Sequence, residues 1–170
     1  MSDREQNNYG EFQTLLDFLY ATPTKLAELT AGLSAAELRL KGSDGEFSAL
    51  ESICHLQDLE LQGYRSRIKR ILDETDPPLA DFDGARVAAE SNYHIQQVEA
   101  ALQSFASTRR ENVETLRSLT EEQLRREGTL TGVGRITLKQ LAEMMREHDE
   151  GHLEDLRVLR QRLERGLLKV

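Results

Sequence analysis

The sequence has a single cysteine, Cys54, in 170 residues. That excludes an intrachain disulfide and the stapled frameworks of small secreted domains. Tryptophan is absent, and prolines number only three, Pro23, Pro77 and Pro78, so few positions forbid a helix. Excess positive charge is absent too: 22 Lys and Arg stand against 30 Asp and Glu, a net charge of -8. An acidic chain lacks the electrostatic footprint of a nucleic-acid binder. No apolar run approaches the length of a membrane span, and Met1 to Tyr9 is polar and charged, unlike the apolar core of a signal peptide. The expected compartment is the cytoplasm, with neither membrane nor nucleic acid as partner.

Helix-forming residues fill the space these absences leave: Ala, Leu, Glu, Arg and Gln are plentiful. A composition 38% hydrophobic and 31% charged is that of a globular chain, and 170 residues fit one domain, residues 1–170, able to bury its own core. Phe12, Leu15, Leu16 and Leu19 mark a first amphipathic helix beginning near Tyr9. Thr22-Pro23 reads as an N-cap with proline at N1, predicting a kink or restart there. Ser34-Ala35-Ala36-Glu37 has capping-box spacing and predicts a short turn. Ser48-Ala49-Leu50-Glu51 opens a second long helix, roughly Ala49 to Leu72, striped by Leu50, Ile53, Cys54, Leu61, Tyr64, Ile68 and Ile71. After the Asp76-Pro77-Pro78 loop, helix resumes at Asp83 with a break at Ser91-Asn92. Val98, Ala101, Leu102, Phe105, Val113, Leu116 and Leu119 then line a third long helix. Thr120 to Gln123 predicts another capped turn and Gly128 to Gly134 a loop. Thr137 caps the last helix. Four long helices without a strand of convincing alternation give an all-α fold, a four-helix bundle with short extra helical turns.

Chemistry concentrates in Glu147-His148-Asp149-Glu150-Gly151-His152. Leu138, Leu141, Met145, Leu156, Leu159 and Leu163 form the apolar stripe of the last helix, and both histidines fall inside it. Imidazoles at i and i+4 on an inward face can share one metal ion if a third ligand exists. The zincin motif needs glutamate directly after the first histidine; here Asp149 stands there, which argues against a metalloprotease. Asp149 and Glu150 are expected to face solvent. His94 reads as a surface or capping residue, Cys54 as core, and Arg109-Arg110 as an exposed basic turn in preference to a contact for an anionic substrate. Gly151 marks either a close approach or simple tolerance. Spacing alone groups His55 with Glu51, Asp58, Leu59 and Gln62, off the main apolar stripe; it favours a solvated polar flank and leaves an inward ring open.

A Ser-capped helix with His55-Leu56-Gln57-Asp58-Leu59-Glu60 near its start, and a last helix with His148-x-x-x-His152-Leu153 after an Ile-Thr-Leu cap, resembles the DinB-like (DinB/YfiT) superfamily. The likeness runs from about Leu15 to Leu163; Phe47 stands where relatives often carry tryptophan. The resemblance implies a bundle with up-down-down-up connections, often a homodimer. It also implies a divalent metal on three histidines, His55, His148 and His152. Zinc or nickel would be the first choices, with iron, manganese or copper compatible. Glu51, Asp58 and Asp155 are the carboxylates within a turn of these ligands that could orient them or move protons. The activity implied is that of a metal-dependent S-transferase, using a low-molecular-weight thiol, or of a hydrolase, on a small-molecule substrate. A non-catalytic metal-binding or stress-response bundle is the alternative.

Overall fold

The computed structural model describes residues 3–43 and 45–168, with side chains from Gly10 onward; Met1 and Ser2, part of the polar N-terminal stretch, lie outside the described residues. Helix α1 spans Asp3–Thr30, α2 Ala49–Asp58 and α3 Arg65–Asp73, with a π-helical segment, Leu59–Tyr64, joining the last two into one continuous rod. Then follow β1 (Pro78–Leu79), α4 (Gly84–Ser91), α5 (Val98–Arg117), α6 (Glu121–Leu124), β2 (Glu127–Leu130), β3 (Gly134–Thr137) and α7 (Leu138–Glu164). Short 3-10 turns occupy Glu37–Arg39 and Tyr93–Ile95.

The cap chemistry works as the spacing predicts. Ser48, Thr120 and Thr137 each accept from the N3 backbone amide while the N3 side chain returns to the cap amide. These reciprocal bonds satisfy amides that a helix start otherwise leaves unpaired. Ser34 and Glu37 make the same exchange ahead of the first 3-10 turn.

Two apolar clusters fix the helix directions. In one, Leu15, Leu16 and Leu19 of α1 meet Ile68 and Ile71 of α3, Val113 and Leu116 of α5, and Leu138, Leu141 and Met145 of α7. In the other, Leu26 meets Leu50 and Ile53 of α2, Val98, Ala101 and Phe105 of α5, and Leu153, Leu156 and Leu159 of α7. The α2–α3 rod and α5 therefore run parallel, as do α1 and α7, and the two pairs oppose one another. The result is a four-helix bundle with up-down-down-up connections. Parallel neighbours need a long crossover, here residues 74–97 with α4 and β1 inside it.

Four expectations need correction. Helix α1 starts at Asp3, not near Tyr9, and continues through Pro23 without restarting. Thr22 does not cap a new helix; its hydroxyl donates to the Phe18 carbonyl at 3.1 Å. Proline has no N–H for the carbonyl four residues back, and that carbonyl, Leu19 O, instead accepts from Arg109 Nη1 at 3.3 Å. Gly128 to Gly134 is not a plain loop: β2 and β3 form an antiparallel hairpin, extended by β1 parallel to β2. Four-residue strands are too short to announce themselves by alternation. Finally, Leu61 is 41% exposed while Glu60 is fully buried. The i→i+5 pattern of a π segment takes one extra residue into the turn, so the stripe slips by a position where the sequence reads as plain α-helix.

Candidate metal centre

Between the two apolar clusters lies a polar belt, and its centre is three histidines. His55 comes from α2, and His148 and His152 come from adjacent turns of α7. One ring nitrogen from each histidine lies within 4.8 Å of those of the other two. His55 Nε2 and His148 Nε2 are 3.2 Å apart. Two nitrogens each bound to one zinc at 2.0–2.1 Å in tetrahedral geometry stand about 3.3 Å apart, so the separation fits a shared ion.

Burial sets the protonation state. It pushes the pKa of His55 down to about 4 and of His148 down to about 3, and the neighbouring imidazoles push the same way. His152 is also lowered by burial, against the opposing charges of Asp155 and Asp149. At neutral pH all three rings are uncharged, with lone pairs free for a cation. A trio of imidazoles is a donor set for zinc, nickel, iron or copper, and as three ligands rather than four it leaves a coordination position open.

His55 is buried, contrary to the polar flank that spacing alone suggests. The ring sits 5.3 Å from the Phe47 ring and 5.8 Å from that of Phe82, centroid to centroid. Gly84, the first residue of α4, closes the third side: a Cβ there would stand 2.6 Å from His55 Cε1 and 2.9 Å from Nδ1. The Nδ1 atoms of all three histidines are buried and meet no hydrogen-bond partner among the described residues. Metal-binding histidines usually have a hydrogen-bonded second nitrogen; for His55, packing against Phe47, Phe82 and Gly84 sets the ring orientation instead.

The three candidate carboxylates separate accordingly. Glu51 is committed to the Ser48 cap and to Lys41 at 3.1 Å. Asp58 accepts from the Tyr93 hydroxyl at 2.9 Å and so ties α2 to the crossover. Neither orients a histidine. Asp155 remains: it lines a cavity of about 200 Å³ with His152, Phe47, Leu156, Leu159 and Arg162. His94 is exposed, as expected. Gly151 faces open space, so tolerance rather than close approach explains it. Cys54 is buried, its thiol pushed up to about 12 by burial and then by the charges of Asp58 and Glu51. It packs in the core as expected.

Asp149 and Arg109 overturn their expectations outright. Asp149 is fully buried and Arg109 is 1% exposed. Arg109 donates to Asp149 Oδ2 at 2.5 Å and Oδ1 at 3.1 Å, and to Glu60 Oε2 at 2.7 Å. Asn112 donates to the other Glu60 oxygen at 2.7 Å. On α7, Asp149 sits one residue from His148 and occupies the side toward α5 while the histidines face α2. A bundle helix surrounded by three others can bury more than one face, and a single amphipathic stripe does not convey that.

A search of curated proteins found no match. Among solved structures, YfiT from Bacillus subtilis, described as a probable metal-dependent hydrolase with an unusual four-helix bundle topology, superposes with a TM-score of 0.85. The alignment has 19% sequence identity and covers 96% of this chain and 90% of that one. The family model of the DinB superfamily matches residues 19–156, which include all three histidines, and the chain belongs to that superfamily.

Proposed function

We propose that the protein is a divalent-metal-dependent enzyme acting on a small molecule, of the hydrolase type, with the thiol-dependent S-transferase type as the alternative reaction on the same centre. The observation that carries this is the convergence of three neutral imidazoles, His55, His148 and His152, beside an open cavity. A divalent ion held there would supply Lewis acidity toward a carbonyl or a thiol. The chain's own residues do the rest. Phe47 and Phe82 shield the His55 ring from water. Asp155, at the cavity wall beside His152, is placed to accept or return a proton. The cavity favours an enzyme over a non-catalytic metal-binding bundle, in which side chains would cap the site.

Cys54 contributes no thiolate near neutral pH, so a thiol reaction would require one from solution. Zinc or nickel as the metal, a low-molecular-weight thiol as cosubstrate and a homodimeric assembly are further parts of this proposal, motivated by the family; a cytoplasmic location is proposed from the sequence. The test is elemental analysis of untagged protein alongside His55→Ala, His148→Ala and His152→Ala. About one metal per chain is expected in the parent and a large loss in each variant. Parent protein without stoichiometric metal, or variants that retain it, would refute the reading. Metal-loaded protein assayed on activated acyl compounds with and without added thiols then separates hydrolase from transferase.

A further inference from the structure

The cavity beside the histidines has a second pole of charge. Its floor is one stripe of α7, running through His152, Asp155, Leu156, Leu159 and Arg162, and Phe47 and Glu46 face it from the loop before α2. Ten residues of helix rise roughly 15 Å, and helical side chains lean toward the N-terminus, which brings the Arg162 guanidinium back toward the histidines. At that far end Gly42 leaves a gap. A Cβ on it would lie 2.5 Å from Glu46 Oε2 and 3.1 Å from Arg162 Nη1. Both charged tips therefore converge over a residue without a side chain, yet among the described residues they form no ion pair within 4.0 Å.

Opposite charges set close without pairing, Glu46 exposed at the rim and Arg162 half-buried, complement a ligand group that carries both. Glu46 suits an ammonium, and the planar fork of Arg162 suits a carboxylate. Between this pole and the histidines the lining is apolar: Leu156, Leu159 and Phe47. We infer that the cavity binds an elongated α-amino acid derivative, with its zwitterionic head between Glu46 and Arg162, an apolar middle on Leu156 and Leu159, and its far end at His152. That the far end reacts rests on the proposed metal chemistry; recognition of the head does not.

Norleucine has the head and the apolar chain but no reacting group; hexanoate keeps only the carboxylate and pentylamine only the ammonium. Each is titrated by NMR into the full chain as purified, into the protein stripped of metal, and into His148→Ala, where no bound ion can chelate the amino acid. Norleucine is expected to bind about tenfold more tightly than pentylamine, which loses the contact with half-buried Arg162, and about threefold more tightly than hexanoate, which loses only the contact with exposed Glu46. Arg162→Gln should weaken norleucine about tenfold and Glu46→Gln about threefold, and only Arg162→Gln should weaken hexanoate. Equal binding of the three probes, no binding of norleucine, or indifference to both substitutions would overturn the inference. Norleucine selectivity that persists in stripped protein and in His148→Ala supports it even where the metal measurements fail; metal binding without that selectivity refutes the head-group site alone.

Discussion

At the scale of single residues, the position of His55 depends on an atom that is missing. Gly84 has no Cβ, and one placed there would overlap the edge of the His55 ring. The ring is the softer partner, because it can rotate about its own side-chain bonds while the start of α4 is held by the Asp83 cap. Gly84→Ala should therefore preserve the fold and tilt the ligand. Loss of an orienting contact around a metal-binding histidine typically costs about 10–100-fold in affinity. The expected result is unchanged far-UV circular dichroism and metal affinity lowered by about tenfold or more, measured by competition with a chromophoric chelator. Metal affinity equal to that of the parent would show that the contact does not position His55.

At the scale of elements, one guanidinium joins four helical segments. Arg109 of α5 bonds Asp149 of α7, Glu60 of the π segment and the Leu19 carbonyl of α1. Pro23 frees that carbonyl, and the π segment turns Glu60 rather than Leu61 inward, so two local irregularities serve one contact. Because Asp149 lies between His148 and His152, its bond to Arg109 also fixes the rotation of α7 that presents both histidines to α2. Removing one member of a buried ionic cluster strands the others, at a cost of about 3–5 kcal/mol, whereas replacing the whole cluster with apolar residues is often neutral. Arg109→Met should thus lower the unfolding free energy by about 3–5 kcal/mol in urea titrations, and the triple variant Glu60→Leu/Arg109→Met/Asp149→Leu should recover most of that loss. A single variant as stable as the parent would deny the cluster its structural role.

At the scale of the whole molecule, buried His55 and half-buried His148 and His152 couple stability to pH. Their folded pKa values lie below the ordinary 6.5, at about 4 for His55 and about 3 for His148, while the unfolded chain titrates near the ordinary value. Between these limits the unfolded state binds more protons, so its free energy falls as acid is added. The stability from neutral burial is fully present above pH 6.5 and is lost as the pH falls toward 4. Metal-free protein should show a falling urea midpoint from pH 7 to pH 5, above the range in which most carboxylates titrate. His55→Phe should flatten that slope, and a midpoint independent of pH over this interval would contradict burial of the neutral rings. Metal should steepen the same dependence, since protons and cation compete for the nitrogens.

The sequence by itself determined the four long helices, their Ser and Thr caps and the inward face of His148 and His152, because periodicity and capping are local properties of a chain. His55 was legible only through likeness to relatives, since its own helical phase groups it with Glu51 and Asp58. The hairpin at Gly128, the unbroken passage of α1 through Pro23, the slip at Glu60 and the burial of Arg109 and Asp149 were decided by tertiary structure. Each depends on a partner distant in sequence: Leu79 for the hairpin, Arg109 for the Leu19 carbonyl, Asn112 for Glu60. A buried charge or an irregular turn costs free energy unless such a partner compensates it, and no local pattern reports whether the partner arrives.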